Sequence, residues 1–255
     1  MILTLDIGNT NMTVVGFESD DITFASRLTT YPECTSDELA LRLVGTLDLH
    51  GVPRTSVEGV AVSSVVPQMN EAVSEAVRFA FDADVLLIGP GVKSGIGIHC
   101  DMPSSVGADI VAASVAVHGI YGAPALIVDL GTATKLSVID RHGAFIGTSI
   151  APGVNMGVWA LAERTAQLPR IDLKVPETVI AKNTADCMRS GVLYGNAAMV
   201  DGMIDRICEE FGERLDTYAT GGMAGTVVPL CRHRITLDEY LVPKGLNILY
   251  RKNRQ

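Results

Sequence analysis

The sequence predicts an α/β protein written twice: two similar halves, each a mixed sheet led by an antiparallel three-strand meander and flanked by helices. Three observations lead there. The opening stretch ILTLDIGNTNMTVVGF is an apolar run that ends in Asp6, turns through Gly8-Asn9-Thr10-Asn11 and becomes apolar again. The stretch LIVDLGTATKLSVID, Leu126 to Asp140, repeats that order around Asp129. After each of these hairpins, helical and strand-like segments follow in the order that layers helices on a sheet.

Taken in order, Ile2–Asp6, Met12–Glu18 and Ile22–Thr29 read as the first meander, with short turns between them. Thr35-Ser36-Asp37-Glu38 has the capping-box pattern and opens a helix that closes near Gly51. EGVAVSSVVP is a buried strand, NEAVSEAVRFAFD has helical spacing, and DVLLIGPG is a buried strand with a glycine stop. GADIVAASVAVHGIYG reads as a helix, with His118 expected to face the core. ALIVDLG, TKLSVID and AFIGTSIAPG form the second meander. VNMGVWALAERTAQL and the long run TADCMRSGVLYGNAAMVDGMIDRICEEFG are helical, the latter interrupted by small residues. TYATGGMAG is a strand entering a glycine turn, and GLNILYRKN is a closing helix. The expected domains are 1–114 and 115–255.

Composition narrows the class. Hydrophobic residues make up 47% of the chain and charged residues 19%, the opposite of the balance that leaves a chain disordered. The formal net charge is −9, and basic residues cluster only at Arg251, Lys252 and Arg254. That argues against a nucleic-acid partner. No apolar run reaches the roughly 18 residues of a membrane span, and Met1 leads straight into a strand rather than a basic and then apolar leader. The five cysteines are scattered, with no C-x-x-C pair, as expected of free thiols in a reducing compartment. The expected setting is therefore cytoplasmic, with no membrane partner.

The repeated turn has a chemical reading. A carboxylate at the end of a buried strand is costly without a partner. Glycine beside it permits a sharp turn and close approach of another group to the main chain. The hydroxyls and amides of Asn9, Thr10 and Asn11, and of Thr132 and Thr134, are donors suited to phosphate oxygens, as are the turn N–H groups. The aspartate can hold a cation that neutralises those phosphates. Two such hairpins facing each other would hold a polyphosphate from both sides. Two ordinary β-turns explain either hairpin alone, but explain a matched pair less well. Asp109 also has two readings. It stands where a helix begins, as an N-cap or as a carboxylate kept ionised by nearby donors and able to take a proton from a hydroxyl.

The matched hairpins resemble the phosphate-binding turns of the actin, hexokinase and Hsp70 superfamily, and ATGGMAG (Ala219–Gly225) resembles its adenosine-side glycine turn. VSSVVP, IGPGVKSGIGI, GAD (Gly107–Asp109), IAPGVNM, NTADCMRSGVLYG and KGLNILY fall in the order and spacing of type III pantothenate kinases. The resemblance implies two actin-like (ribonuclease H-like) domains, a homodimer, and transfer of the ATP γ-phosphoryl group to the primary hydroxyl of pantothenate. It implies magnesium or another divalent cation with ATP, and potassium or ammonium as a monovalent cation. Carried over residue by residue, Asp6, Ile7, Gly8, Asn9, Thr10, Asn11, Met12 and Thr13 form the ATP-phosphate loop, with Asp6 holding the divalent ion. Thr132 contacts nucleotide and Asp129 the monovalent ion. Asp109 is the catalytic carboxylate, beside Gly107 and Ala108. Thr184 is a substrate contact delivered from a neighbouring subunit.

Two positions depart from the family pattern, both on the acceptor side. The pattern Gly-x-Asp-Arg becomes Gly107-Ala108-Asp109-Ile110, and a pocket tyrosine is replaced by Cys100. A lost charge-assisted hydrogen bond is worth about 1.5–3 kcal/mol, or roughly 10- to 100-fold in affinity. Three functions therefore stand side by side. They are a pantothenate kinase with an atypical pocket, a kinase of the same scaffold acting on another small hydroxyl compound, and a nucleotide-binding regulator without turnover.

Overall fold

A computed structural model describes residues 1–254. The chain divides into two compact units, Met1–Tyr121 with the chain from Leu241 onward, and Gly122–Tyr240. In the first unit β1 (Ile2–Ile7), β2 (Asn11–Glu18) and β3 (Asp21–Thr29) form the expected meander. They are followed by α1 (Ser36–Leu49), β4 (Gly59–Ser64), α2 (Asn70–Phe81), β5 (Asp84–Leu87) and α3 (Ala108–Ile120). The sheet order is β3-β2-β1-β4-β5. β1 is antiparallel to β2 but parallel to β4, which pairs parallel with β5. β1 and β4 are buried on both faces because both faces of a central parallel pair are covered.

The helices follow from local chemistry. At the start of α1 the Glu38 N–H donates to Thr35 Oγ1 at 3.3 Å, and Glu38 Oε2 accepts from the Thr35 N–H at 3.0 Å. These two bonds satisfy orphan donors reciprocally. Leu39, Leu43 and Leu47 then recur on the buried face of α1, and Val73, Ala76, Val77 and Ala80 on that of α2. Both stripes join the core around Leu3, Leu5, Val60 and Val62. α3 is buried continuously from Ala112 to Val117. His118, expected in the core, is instead exposed on the last turn.

The second unit repeats the plan. β6 (Ala125–Leu130), β7 (Ala133–Ile139) and β8 (Phe145–Pro152) form the second meander. They are followed by α4 (Val154–Arg164), α5 (Thr184–Phe211), β9 (Asp216–Thr220), the short α6 (Ala224–Val227) and β10 (Thr236–Leu237). The order β10-β9-β6-β7-β8 again places the first meander strand between an antiparallel and a parallel neighbour. α5 runs 28 residues through Gly191, Gly195 and Gly202 without interruption and ends at Gly212, whose φ of +87° stops it.

The last helix, α7 (Leu241–Asn253), corrects the expected division at 114/115. It belongs to the first unit, packing along α3. Its Gly245 lies against the Ala112 main chain, where any β-carbon would collide. Gly59 leaves the space that the Tyr250 hydroxyl fills. Asn247 Nδ2 donates to the Ser19 carbonyl at 2.9 Å, and Asn253 Nδ2 to that of Lys93 at 3.1 Å. The remainder of the first boundary falls after Tyr121.

Candidate active site

The chemistry-bearing residues of each unit gather at the carboxyl ends of its parallel strands, where open α/β sheets leave room for ligands. In the first unit, Asp6 ends β1 with Ser63 of β4 beside it in register. The turn after it is closed by the Gly8 N–H donating to the Asn11 carbonyl at 3.0 Å. It is also pinned from β3's end: Thr30 Oγ1 donates to the Gly8 carbonyl at 2.7 Å, and the Thr30 N–H to the Thr10 carbonyl at 3.0 Å. Asn9, Thr10 and Asn11 are exposed, and Thr13 is half-buried. Ile7 and Met12 are wholly buried, so their side chains belong to the core and only their main chain can meet a ligand. Ser63 Oγ is buried with no hydrogen-bond partner.

Asp109 belongs to the same edge. The Val65 N–H donates to the Ile7 carbonyl at 3.0 Å. A β-carbon on Gly107 would lie 4.0 Å from Val65 Cγ1. The N-terminus of α3 is therefore one residue's packing away from the β1 turn. The N-cap of α3 is Gly107, which offers no side chain. Asp109 is inside the first turn, and its Oδ1 accepts from the Ile110 N–H at 2.8 Å. The N-cap reading of Asp109 is thus replaced by a carboxylate in the first turn of the helix, beside the N–H groups of its start. Ala108 and Ile110 flank it, both half-buried. Cys100 is half-exposed in the irregular run between β5 and α3.

In the second unit two glycine turns close on the end of β6. Gly221, at φ +97°, comes so near that a β-carbon there would be 2.6 Å from Asp129 Oδ1 and 2.6 Å from the Leu130 carbonyl carbon. The Met223 N–H donates to the Leu130 carbonyl at 3.0 Å. Gly153, after β8, abuts the carbonyls of Gly131 and Thr132 so closely that no side chain fits. Thr132 is exposed on this edge. Thr134, expected as a second phosphate donor, is wholly buried, its hydroxyl without a partner. The alternation of β7 turns it inward. Asp129 Oδ2 lies 2.8 Å from Lys135 Nζ, and the side chains are only 21% and 16% exposed.

Thr184 is the exposed first residue of α5, following the N-cap Asn183, whose side chain accepts from the Asp186 N–H at 2.9 Å. Sequence reading missed Thr30, Gly107 as a space requirement, and Lys135. Lys135 had a signal: a hairpin with Leu130 opposite Thr134 puts Asp129 opposite Lys135. Thr30 and Gly107 had none, since their roles depend on residues brought near by folding. No group of three or more His, Cys, Asp or Glu side chains among the described residues is arranged to hold a metal ion. No helix among them is long and apolar enough to cross a membrane.

Solved structures share this architecture. A Campylobacter jejuni protein described as a Baf family transcriptional activator matches with TM-score 0.62 at 17% identity, covering 99% of this chain and 98% of that one. An inorganic polyphosphate/ATP-glucomannokinase from Arthrobacter sp. matches with TM-score 0.50 at 14% identity, covering 98% of each chain. At those identities the likeness carries the fold alone. Together with the two Asp-Gly turns, it defines the class as a two-unit protein of actin-like fold. Residues 2–206 match the family model described as type III pantothenate kinase. The type III pantothenate kinase of Dictyoglomus turgidum is 39% identical over 255 residues, covering 99% of this chain and all of the relative. That of Frankia alni is 39% identical over 257 residues, with the same coverage. The chain belongs to the type III pantothenate kinase family.

Proposed function

We propose that this enzyme transfers the γ-phosphoryl group of ATP to the primary hydroxyl of pantothenate, the first step towards coenzyme A. The observation that carries this reading is the shared sheet edge of the Asp6 turn and Asp109 in a chain that is a family member over nearly its whole length. The exposed turn Asn9–Asn11 supplies N–H and side-chain donors to phosphate oxygens, with Thr30 holding its shape. In the second unit Thr132 and the glycine turns offer the same kind of surface.

Asp6 suits a divalent cation. It is a half-buried strand-end carboxylate beside the unsatisfied Ser63 hydroxyl. Magnesium is commonly held by one or two carboxylates, with water and phosphate oxygens completing the shell. Bound there, it would supply charge neutralisation for the triphosphate. Asp109 accepts the acceptor hydroxyl's proton as that oxygen bonds to the γ-phosphorus. The bond from phosphorus to the β–γ bridging oxygen breaks, and ADP leaves with the electron pair. Because the transition state is loose, positioning and charge neutralisation contribute more than the base does.

Ile110 and Cys100 support a second reading, a different small hydroxyl compound as acceptor. An ADP-release assay with pantothenate, pantetheine, nucleosides and polyols separates the two. Release with pantothenate alone supports the first reading, and release only with another alcohol overturns it in favour of the second. Nucleotide binding without acceptor-dependent release leaves the non-catalytic regulator.

The homodimer draws support from exposed apolar side chains on the second unit: Ile150 on β8 at 68%, Trp159 on α4 at 58%, and Ile180 at 85%. Its partner-delivered contact would be Thr184. A wild-type protein that elutes as a fully active monomer in light-scattering chromatography removes the dimer. The cytoplasm is the proposed location, supported by five free cysteines; recovery in a membrane or secreted fraction would reject it.

A further inference from the structure

The family resemblance puts a monovalent cation at Asp129, and the residues present do not fit one. Asp129 Oδ2 is 2.8 Å from Lys135 Nζ, with both side chains largely shielded from water. The pair is fixed by the β6–β7 register, in which Asp129 lies directly opposite Lys135. Oδ1 is hemmed by main chain, since a β-carbon on Gly221 would be 2.6 Å from it and one on Gly131 3.3 Å. A free potassium ion on this carboxylate would stand beside an ammonium group already there. Two like charges so close, both shielded from water, repel each other. The Asp129 carboxylate carries one negative charge to offset both.

An ammonium group is itself a monovalent cation, close in chemistry to the ammonium ion that serves such sites. Its N–H donors are of the kind that meets anionic oxygens. Its tether removes the need to recruit an ion from solution. We propose that Lys135 is a built-in monovalent cation of the second unit's nucleotide edge, so that this enzyme works without free potassium. The inference rests on the phosphotransfer reading of that edge, but not on pantothenate being the acceptor. Lys135 is a positioning residue acting through Asp129 and the phosphate-side turn.

The test compares wild type and Lys135→Met in chloride salts of potassium, ammonium and choline at equal ionic strength. Two readouts are taken: ADP release with MgATP and pantothenate, and calorimetric affinity for a non-hydrolysable MgATP analogue without acceptor. Wild type should change by less than about twofold across the salts in both readouts. Lys135→Met should lose roughly tenfold or more in analogue affinity in choline and recover it in potassium or ammonium, as a 1.4 kcal/mol change is tenfold. A merely structural role for Lys135 would produce no such rescue. Wild type that needs potassium by tenfold or more overturns the proposal, and so does a Lys135→Met protein unaffected in choline. If Lys135→Met fails to fold, the wild-type salt comparison decides. If pantothenate gives no ADP in any salt while analogue binding follows the expected pattern, the acceptor reading falls and the Lys135 inference stands.

Discussion

The Asp109 carboxylate folds back over Gly107, so that a β-carbon on Gly107 would collide with Asp109 Oδ1. The φ of Gly107 is −59°, a value open to any residue. Glycine is required here for space and not for backbone freedom. Gly107→Ala should therefore rotate the carboxylate away while leaving the helix intact. Turnover should fall by about tenfold to 100-fold, the scale expected when a reacting group is displaced by an ångström or so. Asp109→Asn should lower turnover similarly. Steady-state kinetics with calorimetric ATP binding checks both variants: nucleotide affinity and melting temperature should stay near wild type. Equal loss of binding and rate would remove Asp109 from the catalytic role.

Thr30 anchors the Gly8–Asn11 turn by two bonds, one from its hydroxyl and one from its main chain. Thr30→Val keeps the shape and the N–H but loses the hydroxyl bond to the Gly8 carbonyl. A net hydrogen bond is worth about 1 kcal/mol, so the Michaelis constant for ATP should rise roughly fivefold. The Michaelis constant for the acceptor should not move. An ATP constant unchanged from wild type would show that the turn holds without Thr30.

Ile110, next to Asp109, stands where the family resemblance implies arginine. Ile110→Arg should improve the apparent affinity for pantothenate, by up to about tenfold if a charge-assisted hydrogen bond is regained. With another native acceptor, the substitution should leave pantothenate use unchanged or harm the native reaction. Initial rates over an acceptor titration distinguish these results.

The irregular stretch before α5 is held by the Arg189 guanidinium, which bridges Asp172 and Asp186 and also donates to the Asp172 carbonyl at 3.1 Å. The Arg189 hydrogen bond, with one from Lys174, keeps the Asp172 carboxyl below its ordinary range. Asn183 first and then Arg189 do the same for Asp186. Carboxyls with lowered folded-state values stabilise above the unfolded value, and that contribution is lost as pH falls through the folded one. The protection of residues 165–183 against hydrogen exchange, taken relative to the intrinsic rate at each pH, should therefore be high at neutral pH and fall below about pH 4. Arg189→Met should give low protection throughout, with little further change with pH. An Arg189→Met protein with wild-type exchange at neutral pH would dismiss the strap.

Local patterns carried most of the elements. The paired apolar runs broken by Asp-Gly turns became two meanders, because alternation and turn chemistry act between near neighbours. The capping box at Thr35 opened α1 where it was read. The turns that follow Asp6 and Asp129 were legible for the same reason. Lys135 was within reach too, one step of hairpin register away.

What the sequence by itself determined is the duplicated strand-turn-strand plan and the residue types at its corners, since both arise from interactions within a few residues. Only the tertiary structure decided that α7 returns to the first unit, that Thr30 clamps the Gly8 turn, and that Asp109 is crowded by Gly107 beneath Val65. Each of these depends on a close fit between surfaces. A β-carbon's worth of space at Gly59 or Gly245 decides whether a helix from the far end of the chain can dock. No local pattern records that space, because it exists only once distant segments have packed.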